Sequence, residues 1–233
     1  MTAPVSAPRA IVYRTHGTAH GPITRLMSPS DLGQVLKPFI FLDLVNFQAG
    51  GLNQGFGMHP HSGIATVTFL SQGDVRYEDT TGQSGLLPAG GVEWMRAGNG
   101  VWHSGSPVGE APGLGFQLWV ALPANLENAA AQSQYLAPEL VPRIGPVRVL
   151  LGDYGLARSP VAAPAGMTYL SVSLAKGERW TYTPPMGHTV AWVAVAAGRL
   201  EAAESIEAGE LVAFADSNAS IELLATEATS LVL

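Results

Sequence analysis

Hydrophobic positions in this chain fall in short runs separated by glycine and proline, the pattern of β-strands joined by tight turns. Residues 11–13 and 23–26 open the series, and 39–42 follows a short loop or single helical turn at 28–32. Gly50, Gly51, Gly55 and Gly57 then form a glycine-rich approach to His59. Residues 65–70 are a β-branched run closed by a Gln72-Gly73-Asp74 turn, and 75–79 alternate up to the hairpin signal Thr80-Thr81-Gly82. Runs at 92–95, 101–103 and 115–122 complete this first set. Short strands at such spacing predict a closed barrel or a sandwich.

The next stretch differs. Residues 125–132 have a helix-compatible composition, and Pro138, Pro142 and Pro146 interrupt the residues after it. A second β series then runs through 147–151, 167–174, 179–182, 189–196, 199–201, 211–214 and 221–225 to the terminal 231–233. Its turns echo the first half: Ala197-Gly198-Arg199 parallels Gln72-Gly73-Asp74, and Glu207-Ala208-Gly209-Glu210 parallels Leu87-Pro88-Ala89-Gly90. This is a repeat of architecture rather than of close sequence. The expected division is residues 1–124, a connection over 125–146, and residues 147–233. The apolar end Ser230-Leu231-Val232-Leu233 is expected to be a paired strand, because an exposed apolar edge invites aggregation.

Composition narrows the function classes. With 47% hydrophobic and 13% charged residues among 233, the chain has ample side chain for a core and is not of disordered type. A net charge of −6 without a basic cluster argues against direct nucleic-acid contact. There are no cysteines, which excludes disulfides, thiolate metal sites and cysteine nucleophiles. Residues 1–10 lack the apolar core of a signal peptide, and no run reaches membrane-spanning length, so a cytoplasmic location is expected.

The main chemical signal is His59-Pro60-His61. On an extended backbone, residues two apart share a face, so both imidazoles enter a barrel together. Pro60 removes a ladder donor, which suits a strand edge. His103, in the run Val101-Trp102-His103, is expected to meet them from the facing sheet. Three converging imidazoles bind one divalent transition metal. The second half has no such histidine pair.

Residues 57–70, with His-Pro-His followed by Ser-Gly and a β-branched strand, resemble the pirin signature. Residues 92–104, ending in Trp102-His103-Ser104, are similar to the family's second block, and residues 114–120 and Tyr135-Leu136 also match. The resemblance implies an all-β chain with two antiparallel cupin barrels packed face to face and little helix. It implies a metal only in the N-terminal barrel, on His59, His61 and His103. Fe(II) is the first expectation, with Mn, Ni, Zn and Cu left open. For some members it implies quercetin 2,3-dioxygenase activity on a flat, flavonol-like aromatic, and for others a regulatory role with protein partners.

Two carboxylates of the family pattern are absent. The glutamate expected two residues after the third histidine is Gly105, and the one after the His-Pro-His strand start is Ala65. Three neutral imidazoles leave an ion's charge uncompensated, which weakens hold on hard divalent ions and makes bound water more acidic. Gly105 is also read as a position needing glycine's backbone freedom. Glu93, where the family has Gln, is the one weak candidate for a catalytic acid or base, and is expected at the rim or exposed. Glu78, Asp79 and Glu110 are expected in solvent, as are His16 and His20. His188 is read as structural, and Trp94, Trp102, Phe69, Phe116 and Trp119 as core with some lining a pocket. Three functions compete: a metal-dependent dioxygenase, a non-enzymatic metal-dependent binding or regulatory protein, and a degenerate cupin with a weak site.

Overall fold

A computed structural model of the chain describes residues 8–48 and 55–233. Gly50 and Gly51 of the glycine-rich approach, and most of the N-terminal segment considered for a signal peptide, lie outside the described residues. The chain forms two compact units, one of residues 17–170 and one of the residues up to 16 with 171–233.

Residues 17–170 are built on two antiparallel sheets. The larger has seven strands in the order Gln132–Leu136, Val92–Arg96, Ile64–Gln72, Gly113–Ala121, Phe39–Phe47, Ile23–Met27 and Thr18–His20. The smaller has the order Phe56–His61, Val101–Val108, Asp74–Asp79 and Ser84–Leu87. In the larger sheet Phe116 lies opposite Leu44 on one side and Phe69 on the other. Val67, Leu118 and Val120 are fully buried, each contributing about 1.5–3 kcal/mol by leaving water. Strand Val92–Arg96 is buried on both faces, so its charged residue needs a partner.

The other unit pairs Ile11–Thr15, Leu211–Phe214, Trp192–Ala197, Thr229–Val232 and residues 171–174 in that order. Beside these lies a four-stranded sheet of Arg179–Tyr182, Ile221–Ala225, Arg199–Glu201 and Ser205–Glu207. The terminal strand Thr229–Val232 is paired on both sides, as its apolar sequence requires.

The sequence and the structure part at two places. Ile11–Thr15, the first strand of the N-terminal series, pairs with Leu211–Phe214, where Arg14 forks onto both Glu210 oxygens at 2.9 Å. In the stretch read as a connection, the helix spans only Ala124–Glu127, and Gln132–Leu136 is a strand paired with Val92–Arg96. Strand pairing claims this segment because Leu136 is buried and the Tyr135 hydroxyl finds the buried Asp79. The expected turn at 28–32 is realised as a short 3-10 helix, Leu32–Gln34, with the Asp31 carboxylate accepting from the Leu32 N–H. Among the described residues no helix is long and apolar enough to cross a membrane.

Candidate metal centre

Strand Phe56–His61 runs antiparallel to Val101–Val108, with His59 directly opposite His103 and His61 opposite Val101. The two-residue period therefore puts all three imidazoles on one face. Their ring centroids stand 4.4 Å (His59–His103), 5.0 Å (His61–His103) and 5.1 Å (His59–His61) apart. One nitrogen from each lies within 4.8 Å of the others, the one such group among the described residues.

Each ring's tautomer follows from its second nitrogen. His59 Nδ1 is 2.8 Å from the Gly57 carbonyl, which only accepts, so Nδ1 carries the proton and Nε2 is left as a lone-pair donor. His103 Nδ1 faces Glu93 Oε1 at 3.4 Å. His103 Nε2 is buried with no hydrogen-bond partner among the described residues, on the side of the ring away from Glu93. A buried nitrogen left unpaired is costly unless something binds it, so the donor set fits a metal. His61 stands edge-on to Trp119 at 5.1 Å. Burial, with His103 and His59 beside it, lowers its pKa to about 4, so the ring is neutral and ready to donate.

Glu93 is not at the rim: it is 6% exposed and held from several directions. The Thr68 hydroxyl donates to its Oε2, and Tyr135 lies 3.4 Å from Oε1. Thr68 has one proton, so its 2.8 Å contact with the Gln117 side chain is satisfied by turning the Gln117 amide nitrogen toward it. Asp79 is also buried, contrary to expectation. It accepts from Tyr135 at 2.9 Å and from the Thr81 hydroxyl and N–H. Burial alone would raise its pKa, but these hydrogen bonds outweigh burial and lower it. The Tyr135 ring stacks on Tyr77 at 3.5 Å, and burial with the nearby Glu93 and Asp79 raises its phenol pKa far above the ordinary value.

The three histidines border a cavity of about 430 Å³ in a range usual for small-molecule sites. Its walls are chiefly apolar, and Phe41 and Trp119 stack at 3.9 Å along it. At another point Arg25 lies 4.0 Å over the Phe41 ring and forks onto Asp43, at 2.5 and 3.1 Å. Gly105 also borders the cavity, and its backbone is not in the left-handed region. Among the described residues a Cβ there would meet only Val75 Cγ1, at 3.4 Å, so its backbone does not call for glycine's freedom.

Trp102 is 50% exposed, because alternation sends Val101 and His103 inward and Trp102 out. Trp94, Phe69 and Phe116 are core, whereas Trp119 lines the cavity. Glu78, Glu110 and His20 are exposed. His16 is exposed beside Glu210 at 3.3 Å, and the His188 N–H bonds the Pro185 carbonyl in a turn. The sequence reading missed Arg25, Asp43 and Thr68 as cavity residues, and took Gln117 and Tyr135 only as family matches. A signal existed for Asp43, a lone carboxylate in the apolar run Phe39–Phe47.

The family model for pirin matches residues 22–120. A Pseudomonas aeruginosa relative provisionally named a quercetin 2,3-dioxygenase is 32% identical over 209 residues, 84% of this chain and 73% of its own length. A pirin-like protein of Caulobacter vibrioides is 36% identical over 175 residues, 71% of this chain and 62% of its own length. The chain thus spans under two thirds of the second relative. The crystal structure of a quercetin 2,3-dioxygenase from Acinetobacter baumannii superposes with a TM-score of 0.85 at 29% identity, covering 97% of this chain and 86% of that one.

Proposed function

The chain belongs to the pirin family of cupin proteins, and we propose that it is a metal-dependent protein of quercetin 2,3-dioxygenase type, taking one divalent ion on His59, His61 and His103 and a flat aromatic ligand beside it. The observation that carries the reading is the convergence of three ligand nitrogens within 4.8 Å on the border of a 430 Å³ apolar cavity. Fe(II) is the ion we propose, since imidazole donors suit it and leave further coordination positions open.

When bound, the ion supplies Lewis-acid and redox chemistry at the edge of the cavity. The chain's own residues do the rest. The Gly57 carbonyl and Glu93 fix the His59 and His103 tautomers. Trp119, backed by Phe41, offers an aromatic side against which a flat ring lies, and the apolar lining excludes water. Among the described residues the ligand's acidic proton finds no free carboxylate in the cavity. The Glu93 oxygens are engaged by His103 and Thr68, and both Asp43 oxygens by Arg25. General-base assistance contributes about 10² to 10⁴-fold, so turnover is expected to be slower by that factor than in a site that keeps a free base.

The same engaged carboxylates favour a second reading, in which the protein binds its ligand metal-dependently without converting it. Iron-loaded and metal-free protein titrated with quercetin, with O₂ uptake followed in parallel, tests both. Metal-dependent binding with slow O₂ uptake supports the first reading, and metal-dependent binding with none supports the second. Binding that ignores the metal contradicts both.

A further inference from the structure

Among the described residues the cavity holds three charged groups, Arg25, Asp43 and Glu93. Arg25 and Asp43 neutralise each other in a two-pronged pair. Glu93 is turned to the far nitrogen of His103 and to Thr68, so its charge reaches the cluster only through an imidazole. His59, His61 and His103 are the cluster's donors and carry no negative charge of their own. A divalent ion there leaves the cavity with a net single positive charge and no anionic ligand in direct contact. Low-dielectric walls make that imbalance costly. On the same strand, two residues from His103, Gly105 presents no side chain to the cavity it borders. Among the described residues a Cβ at Gly105 would touch only Val75 Cγ1, so they leave space beside it.

We propose that this space is a subsite for the carboxylate of an aromatic carboxylic acid, which reaches the ion beside Gly105 while its ring lies against the apolar wall. The proposal rests on the metal-binding reading above and names the ligand class of that site. A monocarboxylate brings the cavity's charge to zero and supplies the anionic donor the chain lacks. A neutral aromatic of the same shape does neither.

The test uses Co(II) as the probe ion and benzoate as the probe acid, with benzamide as the uncharged control. Benzoate is expected to raise Co(II) affinity about tenfold and to change the visible absorption of the bound ion, and Co(II) is expected to raise benzoate affinity by the same factor. Benzamide should do neither. Gly105→Glu should bind Co(II) tightly without benzoate and ignore its addition. Gly105→Gln, which fills the space without charge, should lose the coupling and gain no affinity. Co(II) binding that benzoate does not alter, or alters equally in both variants, overturns the carboxylate subsite and leaves the metal-binding reading standing. Folded wild-type protein that takes no Co(II) overturns both. The wild-type titrations decide the matter even where a variant fails to fold.

Discussion

Replacing Glu93 by glutamine removes one charge and leaves the packing intact. The carboxylate is 6% exposed, 3.4 Å from His103 Nδ1, and accepts from Thr68. In Glu93→Gln the amide oxygen can face the His103 Nδ1–H while its nitrogen donates to the Thr68 hydroxyl. The Gln117 amide then turns its oxygen to Thr68 across the same 2.8 Å contact and accepts the Thr68 proton, so the Thr68 hydroxyl and the new amide keep partners. Folding stability should therefore hold to within about 1 kcal/mol. Metal affinity should not. A carboxylate behind a ligating imidazole raises its basicity, and losing it typically costs about 10–100-fold in affinity, or roughly 1.4–2.8 kcal/mol. Equilibrium competition against a chelator of known affinity measures this, with thermal melting of the metal-free proteins as the control. Equal affinity in wild type and Glu93→Gln would refute the account of how His103 is oriented and charged.

Tyr135→Phe removes the 2.9 Å hydrogen bond to buried Asp79 and should lower stability by about 1.5–3 kcal/mol in denaturant titration; an unchanged midpoint would contradict it. His61 gives a pH dependence of known sign. Its folded pKa is lowered from 6.5 to about 4, so the unfolded chain takes up the proton first. The metal-free protein should accordingly lose stability as pH falls from 6.5 towards 4, and His61→Gln should show a shallower decline over that window.

Much of the fold was legible because the strands obey a period of two and the turns carry glycine. The terminal strand Thr229–Val232 and the shared face of His59 and His61 follow from that rule, whereas His103, expected from the facing sheet, joins them from the adjacent strand of the same sheet. Where reasoning failed, it followed residue type over period. Trp102 looked like core because it is large and apolar, yet its neighbours Val101 and His103 already occupied the inward face. Glu93 looked exposed because it is charged, but strand Val92–Arg96 is covered on both faces and offers no solvent side. Asp79 was misplaced for a longer-range reason. Its partner Tyr135 sits on Gln132–Leu136, which is 56 residues further along the chain and carries no local sign of docking beside the histidines. Such pairs depend on which strands become neighbours, and local periodicity does not specify that.

The most direct test of the central claim is metal content. Wild-type protein saturated with Fe(II) under anaerobic conditions and then desalted should hold one ion per chain, and the folded His59→Ala/His61→Ala double variant should hold none. Full retention in the double variant, or a folded wild-type protein that keeps no metal, would contradict the assignment of His59, His61 and His103 as the site.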